Sequence, residues 1–233
     1  MNDVTILIPI YNNSKEEILE TLDSAFSQGS GSVMAYDDGS HDYVWETLES
    51  VSKGLLRRFK GKINKGMGFG MNYMLKRVET PYYIKLDCGD TYTSISSVSI
   101  LRNHIGSGDV CYGNLVLTDT MWRYPDYSKS SPREMTESII KRGGSGILPY
   151  DHSLHRTEFT IANRLFYKED IKVGLDTYRF IQAINAGLKI RYVNTDFYYY
   201  NRNSNSISLN YELRQRDLPR IVELGKYYLT LNN

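Results

Sequence analysis

The sequence predicts an α/β fold, a mixed, mostly parallel central sheet flanked by helices, and three observations carry that prediction. Short β-rich apolar runs alternate with segments of helical periodicity as far as about residue 90, the order that builds parallel strands joined by right-handed crossovers. Helix entries are marked in the chain: Ser14 stands three residues before Glu17, the spacing of a capping box. Acids follow strands in Gly-containing turns, at Asp37-Asp38-Gly39-Ser40 and at Asp87-Cys88-Gly89-Asp90. The carboxyl ends of strands are where an open α/β sheet meets its ligands.

Taken in order, Val4 to Ile10 reads as a buried strand whose ladder ends at Pro9, and Tyr11-Asn12-Asn13 as its loop. The helix that Ser14 opens runs to about Gln28, with Ile18, Leu22, Ala25 and Phe26 on one face. Ser32 to Tyr36 is a second strand, 42–52 a helix, and 55–62 a basic strand. The Gly-spaced stretch from Asn64 to Asn72 leads into a helix ending near Val78 and then the strand from Tyr82. Beyond Asp90 the chain predicts a helix at 96–104, a strand at 109–117, a hairpin at 115–124 and a helix at 132–141. Gly143 to Gly146 is the most flexible punctuation and a candidate mobile loop. A helix from Asp176 to Ala186 closed by Gly187, strands at 189–193 and 197–200, and a final helix from Tyr211 interrupted at Pro219 complete the reading.

The totals describe a soluble globular chain of 233 residues, 41% hydrophobic and 24% charged, long enough for a sizeable core. A net charge of +1 supplies no global field towards nucleic acid or anionic membrane. The 20 tyrosines suit ligand grooves, and equally a compositional preference. Cys88 and Cys111 lack metal-type spacing and read as reduced thiols, with a single disulfide as the alternative. The opening apolar run is too short for a signal sequence, and nothing approaches the ~20 apolar residues of a membrane span. The expectation is a cytoplasmic protein with at most peripheral contact at the inner face of a membrane.

Tyr82 to Asp90 is the stretch with the most chemistry. Two acids held together repel, and a divalent cation relieves that repulsion; Mg²⁺ and Mn²⁺ take oxygen ligands and share them with substrate phosphates. A solvated Asp-x-Gly-Asp turn is the alternative. The glycines from Gly66 to Gly70 match neither nucleotide motif. The third Gly of GxGxxG falls at Met71, and no Gly-Lys-Ser/Thr closes the loop.

Five segments together resemble the family 2 glycosyltransferases, which have the GT-A fold. They are Ile8-Pro9-Ile10-Tyr11-Asn12, Asp37-Asp38-Gly39-Ser40, Asn64-x-Gly66 with Asn72, and Leu86-Asp87-Cys88-Gly89-Asp90. The fifth is Asp176 with Gly187 eleven residues on, then Tyr198-Tyr199-Tyr200 and Ser206-Ile207-Ser208. Tyr112-Gly113-Asn114 and His152-Ser153 look like bacterial transferases that carry a His-Gln pair at the latter position. The likeness organises residues 1–208 as one domain, with a nucleotide-sugar half to about 117 and an acceptor half over 118–208. Residues 209–233 form a C-terminal helical segment.

The resemblance implies a role for each matching residue. Asp37 accepts from the nucleobase, typically uracil, with Asp38 beside it and Pro9 and Tyr11 walling the pocket. Asn64, Gly66 and Asn72 belong to the nucleotide-binding half. Asp87 flanks the ribose and metal-diphosphate, and Asp90 holds the Mn²⁺ or Mg²⁺ with Asp87 in support, since Gly89 stands where the family often has Asp. Asp176 is the implied general base; the alternative reading is a helix N-cap or first-turn acid. His152 is a second catalytic candidate in the acceptor half, and His155 reads as structural. Arg202 reaches the diphosphate or is a solvated loop residue; the family's Arg-x-His is replaced by Asn201-Arg202-Asn203.

The implied activity is inverting, metal-dependent transfer from a nucleotide-diphosphate sugar to a glycan or lipid-linked acceptor. Two alternatives stand beside it. Arg57, Arg58, Lys60, Lys62 and Lys65 form a basic run that would suit a phage-type enzyme glycosylating hydroxylated DNA bases. The departures at Gly89, Leu175 and Asn203 would suit a nucleotide-sugar-binding protein without catalysis.

Overall fold

A computed structural model describes residues 2–51, 54, 56–117, 121–122, 126–144, 150–201 and 210–231. Its first half follows the sequence pattern closely. β1 (Val4–Ile10), β2 (Ser32–Asp37), β3 (Leu56–Lys60) and β4 (Tyr82–Lys85) are parallel in the order β3-β2-β1-β4. The connecting helices are α1 (Lys15–Ser27), α2 (Asp42–Ser50) and α3 (Met67–Leu75). α1 opens with the expected capping box of Ser14 and Glu17. β1 is covered on both sides, so its residues divide by the two-residue period of a strand. Ile6 and Ile8 join Ile18 and Leu22 on one face, while Leu7 joins Met34, Met71 and Tyr83 on the other.

The second half departs from that simple pattern. β5 (Thr91–Tyr92) and α4 (Ser97–His104) lead into β6 (Val110–Leu117), which pairs with β7 (Met121–Trp122) as the expected hairpin. α5 (Pro132–Lys141) precedes β8 (Leu154–Arg156), α6 (Thr157–Ala162) and α7 (Leu175–Asn185). β8 was not foreseen: it lies antiparallel between β4 and β6. It carries the chain of Asp151 and His152 across to the carboxyl end of β4. The two strands expected at 189–193 and 197–200 are one, β9 (Ile190–Tyr200), parallel to β6 with register shifts around Asn114.

α8 (Tyr211–Leu231) closes the fold against α5 and α7 and runs unbroken through Pro219. The expected interruption is absent because Pro219 and Gln215 face solvent. Water can satisfy the Gln215 carbonyl that loses its donor. Residues 145 and 146 of the candidate mobile loop lie outside the described residues. Gly144 is buried against Leu218 and Ile221 of α8. Among the described residues no helix is long and apolar enough to cross a membrane.

Candidate active site

Two neighbouring features occupy the carboxyl ends of the parallel strands. The first is a cavity of about 330 Å³ lined by Pro9, Ile10, Tyr11, Asn13, Tyr36, Asp38, Met67, Gly70, Asp87 and Cys88. Pro9, Tyr11, Asp38 and Asp87 are thus brought together as the sequence suggested. The adjacent acids of the Asp37-Asp38 turn, both expected beside the nucleotide, are placed differently from each other. Asp37 is fully buried and does not line the cavity; its Oδ1 accepts the Ser40 N–H at 2.9 Å, and its Oδ2 has no hydrogen-bond partner. Strand alternation at the end of β2 turns Asp37 inward and presents Asp38.

Asp38 in turn organises the Gly-spaced loop. Its two oxygens accept the Lys65 N–H at 3.0 Å and the Gly66 N–H at 2.6 Å. Gly66 adopts φ +94 immediately before α3, a conformation that favours glycine. Asn64 is exposed and Asn72 is buried away from the cavity. The Asn72 amide is committed to the backbone of Tyr167, donating at 2.9 Å and accepting at 2.7 Å, and donates to Glu169 at 2.9 Å. It staples α3 to the segment ahead of α7 and does not line the cavity, where a nucleotide contact was expected of it. Arg202 lies outside the described residues.

The second feature is a cluster of Asp87, Asp90 and His152, whose ligand atoms lie within 4.8 Å of one another. Nε2 of His152 is 3.4 Å from Oδ2 of Asp87. The Tyr198 hydroxyl fixes both acids, donating to Asp90 at 2.7 Å and accepting the Asp87 N–H at 3.1 Å. The Asn201 N–H adds 2.8 Å to the other Asp90 oxygen. Burial, and then the charge of Asp87, push Asp90 up to about 7. Two carboxylates and an imidazole offering ligand atoms this close together fit a divalent ion such as Mn²⁺. His152, expected in the acceptor half as a catalyst, is therefore also a ligand candidate. Gly89 sits in the turn at φ +100; any side chain would be strained there, so the departure from the family's Asp follows the backbone.

Lys85 is the residue that sequence reasoning missed. It is buried, and its Nζ lies 2.9 Å from Asp87 Oδ2 and 3.1 Å from Asp151 Oδ2. Burial opposes ionisation of Asp87, but the Lys85 ammonium and the His152 contact outweigh it and hold that carboxyl well below the usual range. Asp151 also accepts the Tyr167 hydroxyl at 2.7 Å and lies 3.5 Å from the buried Arg179. A signal existed: Lys85 interrupts an apolar strand two residues before Asp87, where alternation turns both to one side.

Asp176 stands in the first turn of α7, whose inner face buries Phe180, Ile181 and Ile184 as expected. No side chain caps this helix, because Gly174 occupies the capping position. Asp176 is half-buried. Burial, and then the neighbouring charge of Asp151, push its carboxyl up to about 6.

A mostly parallel sheet with a nucleotide-sized cavity and an acid–histidine cluster at its strand ends defines a protein of the GT-A fold class. The model of glycosyl transferase family 2 matches residues 5–168, and the chain belongs to that family. An uncharacterized glycosyltransferase of Rickettsia bellii is 30% identical over 121 residues, covering 50% of this chain and 17% of that protein. A Rickettsia felis counterpart is also 30% identical over 121 residues, covering 50% of this chain and 20% of its own length. The chain therefore spans about a fifth of the curated relatives it matches. Among solved structures, S. aureus TarS 1–349 in complex with UDP-GlcNAc superposes with a TM-score of 0.75 at 18% identity. That alignment covers 95% of this chain and 66% of TarS 1–349. The Pyrobaculum calidifontis mannosyltransferase PcManGT, in complex with GDP-Man and Mn²⁺, gives 0.63 at 14% identity, covering 97% and 69%.

Proposed function

We propose that the chain is an inverting, metal-dependent glycosyltransferase that moves a sugar from a UDP-sugar to an acceptor hydroxyl. The observation that carries this reading is the sharing of Asp87 between the cavity wall and the cation cluster. One residue thus serves both ends of a nucleoside diphosphate. The UDP-GlcNAc complex of TarS and the Mn²⁺ complex of PcManGT support the choice of donor and cation.

In this reading the uracil enters beside Tyr11 and Tyr36, and its ring N–H donates to Asp38. An ionised carboxylate has about four lone-pair sites, so the Lys65 and Gly66 N–H groups leave capacity for it. Asp87, Asp90 and His152 would hold the cation, and a cation bound there would supply positive charge beside the diphosphate leaving group. Tyr198 fixes the two acids and Lys85 keeps Asp87 ionised. Asp176 takes the proton of the acceptor hydroxyl as that oxygen attacks the anomeric carbon from the opposite face; a base near 6 is matched to neutral conditions.

A surface glycan or lipid-linked oligosaccharide is the acceptor we favour over DNA. Strand alternation divides the basic run: Arg58 and Lys60 serve α2, the first capping Leu48 O at 2.8 Å and the second lying over Trp45. Arg57 lies over Phe59, reaches Arg77 O and pairs with Glu79. Release of UDP from UDP-GlcNAc with Mn²⁺ present, with the anomer of the product read by NMR, tests the proposal. Absence of turnover with every common UDP-sugar, despite tight UDP binding, would favour a binding protein without catalysis. Retention of configuration would remove the inverting assignment.

A further inference from the structure

The segment between α6 and α7 is stitched to both sides of the site. Lys172 and Val173 donate their backbone N–H groups to Oδ2 of Asp217, at 2.7 and 3.0 Å. Asp217 belongs to α8 and is fully buried. Its carboxylate is held by Arg216, Nε to Oδ1 at 2.7 Å and Nη2 to Oδ2 at 2.9 Å. The Lys172 side chain points the other way: its Nζ donates to the Lys65 carbonyl at 2.9 Å. A Cβ at Gly66 would collide with that Nζ. Lys65 and Gly66 are the two residues whose N–H groups Asp38 accepts at the cavity wall. Two residues beyond Val173, packed by Gly174 against Ile221 and Leu218 of α8, begins the helix that carries Asp176. All of these elements after residue 168 lie outside the family match.

We infer that residues 170–174 form a strap through which Asp217 positions the donor-side loop 64–66 and the Asp176 helix relative to one another. The inference rests on the donor and base assignments proposed above. A buried carboxylate on a separate helix is a firm anchor, because an acceptor taking two N–H groups resists rotation in a way that one contact does not. Lys172 passes the constraint to the cavity through one exposed bond, and the chain passes it to Asp176 through two residues. Asp217 and Lys172 are positioning residues; neither touches a substrate.

The strap predicts a split that a purely structural brace would not produce. Three variants separate the cases: Asp217→Ala, Lys172→Met, and Lys226→Met as a control on the exposed face of α8. For each, UDP affinity with Mn²⁺ is measured by calorimetry, UDP release from UDP-GlcNAc at saturating donor gives kcat, and melting gives stability. Lys172→Met weakens UDP binding by roughly 3- to 10-fold, the loss of one modest hydrogen bond, with kcat within about twofold. Asp217→Ala weakens UDP binding by a similar factor and lowers kcat by roughly 10-fold or more. Lys226→Met changes neither.

An Asp217→Ala protein that melts earlier but keeps native affinity and kcat would reduce Asp217 to a brace and overturn the inference. Native UDP affinity in Lys172→Met would remove the donor-side link and with it the strap. If Asp217→Ala does not fold, Asp217→Ser replaces it, which removes the oxygen that takes the Lys172 and Val173 N–H groups while keeping a polar side chain; native UDP affinity and kcat there overturn the strap, and a fall in both supports it. A wild-type protein that binds UDP but releases none from UDP-GlcNAc removes the functional reading itself, an outcome distinct from native variants of an active enzyme.

Discussion

Replacing Asp176 by Asn separates a general base from a helix-terminal acid, and the structure fixes the sign of two independent readouts. The Asp176 carboxyl is pushed from 3.8 up to about 6 by burial and by Asp151. A raised carboxyl contributes stability that is fully present below 3.8 and is lost as pH rises through 6, because the folded chain then holds an unfavourable charge. At about 1.4 kcal/mol for each tenfold change in proton affinity, the full gap is about 3 kcal/mol. Asp176 keeps some contact with solvent, and a first-turn acid gains ~0.3–1 kcal/mol from the helix terminus, so about 1–2 kcal/mol survives. Asn carries no charge, so above pH 6 the variant melts higher than wild type, by roughly 2–8 °C for a chain of this size, and the difference closes towards 3.8. Over the same range the wild-type turnover rises through about 6, and the variant loses ~10²–10⁴ in rate. UDP release from UDP-GlcNAc and differential scanning calorimetry across pH measure both. A variant with near-native turnover and a melting difference independent of pH would refute the base assignment and the electrostatic argument together.

Tyr198→Phe removes the hydroxyl that links Asp90 to the Asp87 N–H; Mn²⁺-dependent UDP affinity falls by roughly 10-fold or more, and an unchanged calorimetric isotherm would leave Tyr198 as packing alone. Asp90→Asn loses the same metal dependence while keeping metal-free UDP binding. Asp38→Ala abolishes preference for UDP over CDP, because cytosine offers no ring N–H to a buried acceptor; a preference retained in Asp38→Ala and lost in Asp37→Ala would restore the base contact to Asp37. Gly89→Ala places a side chain at φ +100 and costs ~1–3 kcal/mol of stability, read as a lower melting temperature; an unaffected melt would show that the turn relaxes freely.

Legibility in the sequence followed the range of the forces involved. β1 to β4 and their helices were readable because local periodicity and the Ser14–Glu17 cap determine them. Asp87 and Asp90 were readable because a turn ends their strand. β8 was not: its three residues, Leu154 to Arg156, carry no period of their own and become a strand only between β4 and β6. The meeting of Asp151 with Lys85, and of His152 with Asp87, followed from that hidden strand. Asp37 and Asp38 are adjacent, and motif matching cannot tell which of them a strand end turns inward. Asn72 had the right neighbours for a nucleotide contact, but Tyr167, its actual partner, is 95 residues distant in the chain.

The position of β8 has a consequence for how the molecule assembles. The residues lining the cavity all fall between Pro9 and Cys88 and depend on parallel pairings within that span. The cation cluster needs His152, brought in by β8, and Tyr198, brought in by β9. Contacts across such separations close late, since loop entropy is spent before they reward it. A refolding chain therefore assembles the walls of its nucleobase pocket before it gains its affinity for metal, and the hold of Lys172 on loop 64–66 tightens that pocket only with the later elements. Uridine and Mn²⁺ added to the same refolding mixture would report two successive stages of one process, the first local to the amino-terminal half and the second coincident with closure of the whole sheet.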